Sequence, residues 1–340
     1  MKKRVITGII MLFVLAPTVL VPACLPVLEV VIILLAGVAE MELLNMYDRE
    51  KKIPLPMKIV TIVLTIILSF AVISYMSTQG GAPGETVTDI TQRFSDSLIL
   101  TCIKRLHFDK IFTPVTVLLI NFLILMGSMI FIKDFDVKDA GRLYLSTIYV
   151  GLCMGAFLTL RLYGNRFVIY LLIVTCLTDI FALVFGLAFG KSGKHKLAPA
   201  ISPKKTWEGA IGGTCVAVIC GFCFCYFYEG LCSLFPTISG GQMSFFEGVF
   251  AYDTFTPAGK FFVCLILTLL LSICGQIGDL VASKLKRAYG IKDYSNIFPG
   301  HGGALDRFDS VLFASAMFLL FIIIEMNFID VLAQLNTLAV

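Results

Sequence analysis

Nine stretches of the chain are continuously apolar, at roughly residues 5–22, 26–46, 58–77, 112–132, 143–160, 167–189, 208–228, 261–281 and 311–328. A helix needs about 20 such residues to cross a hydrocarbon core, with some latitude for tilt. A membrane β-barrel would instead show alternating segments of about 10 residues, and runs such as Val311–Ile324 do not alternate. The pattern predicts an all-α, polytopic integral membrane protein with about nine transmembrane helices. It divides the chain into N-terminal membrane helices (1–132), middle helices with a basic loop (133–207) and C-terminal helices (208–340). Met1-Lys2-Lys3-Arg4 before an apolar stretch is similar to a signal peptide. Pro22 suits cleavage poorly and a second span follows at once, so an uncleaved first span is expected.

Composition supports the pattern. The 340 residues are 58% hydrophobic and 15% charged, with mean hydropathy +0.92. Soluble domains run at about 45–50% and about 25%, so a soluble enzyme is excluded, and so is a disordered tail. The net charge of +4 and the single Trp offer no stacking platform, and no nucleic-acid partner is expected.

The basic residues set an orientation. With the N-terminus inside, the inner segments hold 20 Lys and Arg and the outer segments hold 7. The outer ones are Arg93, Lys104, Arg105, Lys110, Arg161, Arg166 and Lys260. This places the two densest polar loops, 190–207 and 282–310, in the cytoplasm. Two long outer loops, 78–111 and 229–260, read as connecting structure, with an amphipathic piece around Phe94–Leu106. Most of the 11 Cys lie in apolar runs and read as small hydrophobes. Cys220, Cys223 and Cys225 invite a metal reading but lack a soft-ligand partner nearby. A Cys102–Cys232 disulfide stays open.

Acidic groups in a span are costly. Glu29 and Glu325 lie near outer ends and Glu40 and Glu42 near an inner end, and all four read as structural, the inner pair within reach of the interface. Asp179 and Asp279 differ, because each leads toward a basic inner loop. On a helix Asp279, Ser283, Lys286 and Arg287 share one face. Beyond them come Lys292, Asp293, the turn Pro299-Gly300-His301-Gly302-Gly303, then Asp306, Arg307 and Asp309. The glycines let backbone N–H groups approach an anion. Carboxylates that hold hard cations and basic groups that hold phosphates suggest metal-assisted phosphoryl transfer at a membrane surface. Upstream, Ser202-Pro203-Lys204-Lys205-Thr206-Trp207-Glu208-Gly209 reads as a helix start, with Ser202 as cap and Pro203 in the first turn. Its N–H groups, hydroxyls and two lysines suit a triphosphate.

These residues resemble a known family. The run from Ser283 through Leu285, Lys286, Arg287, Lys292, Asp293, Pro299, His301, Gly302, Gly303, Asp306, Arg307 and Phe308 to Asp309 is similar to the signature of the CDP-diacylglycerol synthases, also called phosphatidate cytidylyltransferases. Ser202–Gly209 resembles a second stretch of that family, and Asp179 with Phe181 and Ala182 a third. The resemblance implies that CTP and phosphatidic acid give CDP-diacylglycerol and pyrophosphate, without a protein nucleophile. It implies Mg2+, a second metal ion of open identity, and a homodimer. By matching position Asp279 and Asp306 would be metal ligands, and Lys286, Arg287, Lys292 and Arg307 would hold phosphates. Ser202, Lys204 and Lys205 would contact CTP, with Thr206 and Ser283 beside the substrates. Asp179, Asp293, His301 and Asp309 would orient groups or bind metal indirectly. A bacterial inner membrane is expected ahead of the endoplasmic reticulum. A CTP-dependent lipid kinase and an ion-coupled transporter are the competing readings; charge gathered in two loops, instead of at the midplane, counts against the transporter.

Overall fold

The computed structural model describes residues 16–79, 97–105, 107, 111–190, 195–234, 245–246, 256–298, 300 and 302–338. Its helices are α1 (Leu25–Tyr47), α2 (Leu55–Gln79), α3 (Leu98–Arg105), α4 (Pro114–Phe131), α5 (Val137–Thr147), α6 (Cys153–Tyr163), α7 (Asn165–Phe189), α8 (Trp207–Tyr226), α9 (Tyr228–Leu234), α10 (Pro257–Ala288) and α11 (Leu305–Leu338). Among the described residues seven helical stretches are long and apolar enough to cross a membrane. They match seven of the nine expected spans one for one. Segment 5–22 falls mostly outside the described residues. Segment 26–46 forms α1, which buries three glutamates. The protein is an all-α integral membrane protein; among the described residues the exception is one antiparallel hairpin of β1 (Lys196–Ala198) and β2 (Ser202–Thr206).

The chain divides into two compact units: residues 1–78, 95–159 and 281–312, and residues 79–94, 160–280 and 313–340. In the first unit the acids of α1 hold neighbouring segments. Ser97 Oγ donates to Glu29 Oε1 (2.5 Å) and Ile99 N to Glu29 Oε2 (3.2 Å), so Glu29 caps α3. That helix buries Ile99, Leu100 and Ile103, as the expected amphipathic piece requires. Ser146 Oγ donates to Glu40 Oε1 (2.5 Å). A π-helical turn, Ile148–Leu152, joins α5 to α6. There Ser69 Oγ of α2 donates to Gly151 O (2.9 Å), which supplies a donor where the helical ladder is broken. A Cβ on Gly155 would stand 2.9 Å from Val72 Cβ, so the pair Gly151 and Gly155 lets α2 approach closely. Helix α4 exposes Leu119, Leu123, Ile130 and Phe131 and buries only Val117, Asn121 and Leu125, four residues apart on one stripe.

Polar loops of this unit meet at one end. Lys51 Nζ pairs with Asp139 (2.6 Å) and Asp136 (3.2 Å), and Arg142 with Glu50 (2.6 Å). Asp136 and Asp139 form a capping box at the start of α5. The Asp139 backbone N–H, then Lys51, holds the Asp136 carboxyl below its ordinary pKa. Arg142 lies over the Tyr289 ring, which also meets Tyr47 edge-on.

In the second unit α7 and α8 pack backbone against backbone. A Cβ on Gly209 would lie 2.5 Å from Ala182 O, and one on Gly213 2.5 Å from Thr178 O. Arg161 and Arg166, expected in outer segments, are buried. Arg166 Nε donates to Phe245 O (2.5 Å), and its guanidinium lies over the Phe167 ring. A cation under aromatic cover gains part of its stabilisation within the protein, as Arg166 does. Cys102 is a free thiol, and the Cys232 side chain lies outside the described residues. Cys225 donates to Cys264 Sγ, with no third ligand gathered among the described residues.

Replacing Gly213 by Val should destabilise the protein by about 1–3 kcal/mol through overpacking. Gly127, where an added Cβ would meet nothing within 4 Å, should accept Val with little change. Thermal unfolding in detergent compares the two.

Candidate active site

The upstream motif folds differently from its expectation. Pro203 sits in β2, and α8 begins at Trp207 with Thr206 as its cap, Gly209 N donating to Thr206 Oγ1 (3.2 Å). Ser202 is therefore a strand residue and no cap. Thr206 is buried against Gly190, where an added Cβ would come within 2.8 Å of Thr206 Oγ1, so its hydroxyl serves the fold. The hairpin leaves Lys204 exposed and pairs Lys205 Nζ with Asp279 Oδ2. His195 Nδ1 meets Glu208 Oε1 at 2.7 Å. Lys191 and Lys194 lie outside the described residues.

Asp279 is aimed by the helix that carries it. Along α10 the positions Cys264, Thr268, Ser272 and Gln276 recur every four residues and face α7 and α8. Tyr170 Oη and Thr268 Oγ1 share a hydrogen bond of 2.7 Å, and Thr178 Oγ1 and Ser272 Oγ one of 2.8 Å. Gln276 Nε2 donates to Thr214 Oγ1 (2.7 Å) and Ala210 O (3.3 Å). A polar stripe in apolar surroundings fixes helix rotation, because each hydroxyl must face a partner. Asp279 follows three residues after Gln276, on the same side. Asp179, next to Thr178 on α7, is exposed.

In the first unit the signature folds around Asp306. Lys286 Nζ donates to its Oδ1 (2.6 Å), while Tyr294 N (2.8 Å) and Gly303 N (2.9 Å) donate to its Oδ2. Both Lys286 and Asp306 are buried. Tyr294 Oη donates to Ala282 O (3.1 Å), and burial raises its phenol well above the ordinary pKa, with Asp306 adding to the effect. The glycine turn is closed by paired hydrogen bonds between Phe298 and Gly302, with Gly300 and Gly302 at φ +81° and +86°, a conformation that suits glycine. The N–H groups of Gly302 and Gly303 are thus used within the loop, contrary to the expectation that they face an anion. His301 and Pro299 lie outside the described residues. Arg287 Nη1 donates to Ile291 O (2.9 Å). Lys292, Asp293 and Arg307 are exposed, and Asp309 is buried.

Sequence reasoning missed one residue of this site. Glu42, 3% exposed, is buried inside the protein. Its Oε1 accepts from Ser295 Oγ (2.5 Å) and Ala304 N (2.9 Å), and its Oε2 from Leu305 N (2.9 Å). It caps α11 one residue before Asp306, from about 260 residues away in the chain. A Cβ on Gly303 would lie 2.5 Å from Glu42 Oε1, which explains that glycine. The signal lay in three acids within one apolar helix, each of which had to find donors.

Asp279 and Asp306 belong to different units, and each has a lysine at contact. Among the described residues no three His, Cys, Asp or Glu side chains gather as a metal cage. Mg2+ does not need one, since it is commonly held by one or two carboxylates, waters and substrate phosphates. The donor chemistry of each aspartate taken singly fits such an ion, with Lys205 sharing Asp279 and Lys286 sharing Asp306.

Glu42→Ala should lower stability by roughly 3 kcal/mol or more, because it strands two buried N–H groups and a hydroxyl. Gly303→Ala should show a loss of the same sign. Chemical denaturation of both variants beside the parent measures this.

The chain matches the model of the Cytidylyltransferase family over residues 2–325. It is 34% identical over 313 residues to a phosphatidate cytidylyltransferase of Staphylococcus haemolyticus, covering 92% of this chain and 95% of that protein. It is 36% identical over 195 residues to the phosphatidate cytidylyltransferase of Bacillus subtilis, covering 56% of this chain and 61% of that protein. A match that runs through nearly all the spans and the whole signature loop leaves one conclusion: the chain belongs to the cytidylyltransferase family.

Proposed function

We propose that the protein transfers the cytidylyl group of CTP to phosphatidic acid, giving CDP-diacylglycerol and pyrophosphate. The observation that carries this reading is the signature Ser283–Asp309, folded around Asp306 and Lys286 in a membrane chain of this family. A phosphate oxygen of the lipid attacks the α-phosphorus of CTP. The new P–O bond forms as the bond to the β-phosphate bridging oxygen breaks, and pyrophosphate leaves. A phosphate monoester is largely dianionic near pH 7, so no protein base need take a proton.

The chain's own residues bind and orient. Lys204 and Lys205 receive the triphosphate. Lys292 and Arg307, both exposed, receive phosphate oxygens, with Lys286 and Arg287 behind them. Asp279 in one unit and Asp306 in the other would each serve as a carboxylate ligand for Mg2+, which would neutralise charge on the phosphates. Asp306, tied to Lys286 and two backbone N–H groups, also fixes the loop that presents Arg307. The basic loops face the cytoplasm of a bacterial inner membrane, and the protein works as a homodimer.

Purified protein with phosphatidic acid should place label from α-labelled CTP in the lipid and none from γ-labelled CTP. Label from the γ position would indicate a kinase, and label from neither would leave the transporter. EDTA should abolish transfer and excess Mg2+ restore it. Asp279→Asn should lower kcat by about 100-fold or more. Asp306→Asn should do the same and also lose stability, because it leaves Lys286 buried without its partner. Lys204→Ala should raise the KM for CTP more than that for phosphatidic acid, checked by binding of a non-hydrolysable CTP analogue.

A further inference from the structure

Helices α8 and α10 enclose a groove of about 420 Å³ within the second unit. Trp207, Ala210, Thr214, Ile273, Gln276 and Ile277 line it. Trp207, Ile273 and Ile277 are exposed at its rim, so the groove opens toward the surroundings of the helices, which in a membrane are lipid. The volume falls in the range of roughly 300–1,000 Å³ typical of small-molecule sites. Its walls are apolar except for the Gln276 amide and the Thr214 hydroxyl, already bonded to each other, and the Cys215 thiol.

One end of the groove is different in kind. Leu197 of β1 and Leu280 of α10 close it there. Beside them in the chain stand Lys196 and Asp279, and Asp279 carries Lys205. Lys204 precedes Lys205 on the same strand. An apolar trench that ends at a cationic hairpin is complementary to an amphiphile with an anionic head and a hydrocarbon tail.

We propose that this groove seats one acyl chain of the phosphatidate substrate, with the lipid phosphate at the hairpin end, next to the triphosphate that Lys204 and Lys205 receive. The assignment rests on the function proposed above and adds where the lipid's tail lies. From Leu280 to Ile273 the lining spans seven residues, or about 10 Å of helix. One leaflet of hydrocarbon is about 15 Å deep, so a long chain overruns the groove and a short one ends inside it. Lipid tails are as apolar as these walls, so the groove gains no hydrophobic affinity over the bilayer. It acts by shape, holding the glycerol phosphate in register with the triphosphate at the hairpin and selecting among chains.

Two measurements test this. Phosphatidate carrying a diazirine on its acyl chain is photolysed with the wild-type protein in vesicles, and adducts are mapped by mass spectrometry. Adducts on residues 210–215 and 273–280 are expected, and adducts confined to other helices would overturn the proposal. Second, Cys215→Trp narrows the groove toward the end away from the hairpin, where the exposed Cys215 lines it. Its kcat/KM for dipalmitoyl phosphatidate should fall about tenfold relative to dioctanoyl phosphatidate, a discrimination of the size that pocket shape provides, with the KM for CTP unchanged. An equal change for both lipids, or no change, would overturn it. If Cys215→Trp fails to fold, the wild-type adduct map decides. A wild-type protein that transfers no α-label to either lipid would sink the proposed reaction, whereas the adduct map reads the groove independently of turnover. Disulfide-linked dimers through Cys215 without lipid adducts would give the groove to a second copy and overturn the lipid assignment.

Discussion

A carboxylate taken out of water has to be met by donors, or it cannot stay charged. In this protein Glu42 meets that demand by capping the last helix. Two backbone N–H groups and the Ser295 hydroxyl converge on it. The start of a helix offers unpaired N–H groups and a positive dipole end, so acid and helix satisfy each other. The same solution recurs at Glu29, which caps α3. Helix α1 thus serves as a strut whose acids fix segments that are remote in sequence. Two features of the signature loop follow from that fixed point. Gly303 is glycine because the carboxylate lies against it, and Asp306 falls one residue into the helix that Glu42 starts.

The two aspartates of the proposed chemistry are held in a similar way. Asp306 has Lys286 and two N–H groups, and Asp279 has Lys205. Each carboxylate already sits beside a cation before any phosphate arrives. Pairing offsets part of the desolvation cost of the buried Lys286 and Asp306, and the two pairs leave the exposed Lys204, Lys292 and Arg307 as the groups most open to an incoming anion. A reaction between a water-soluble triphosphate and a lipid phosphate needs cations that are fixed in place yet reachable, and the two kinds of position provide that division.

Much of this was legible in the chain itself. Seven spans, the amphipathic piece at α3 and the helix carrying Asp279 to Arg287 follow from periodicity, because burial in lipid leaves a long apolar signature. The hairpin at 196–206 was not legible. Ser202 before Pro203 has the look of a helix start, yet the chain turns back first and Thr206 caps instead, because Thr206 fits against Gly186 and Gly190 of the α7 end. That choice is tertiary. The role of Glu42 was hidden for the same reason: an acid near a helix end looks interfacial until its partners, more than 250 residues on, are known. The burial of Arg161 and Arg166, the latter beneath an aromatic ring, is likewise invisible in a charge count.

The capping carboxylate can be read amide by amide. Hydrogen–deuterium exchange of the protein in detergent, compared with Glu42→Ala, reports on Ala304 N and Leu305 N directly. Both amides should be strongly protected in the parent and exchange rapidly in the variant, while Gly303 N, which donates to Asp306, keeps more of its protection. Equal protection of Ala304 and Leu305 in the two proteins would contradict the account, because the start of the last helix would then not depend on Glu42.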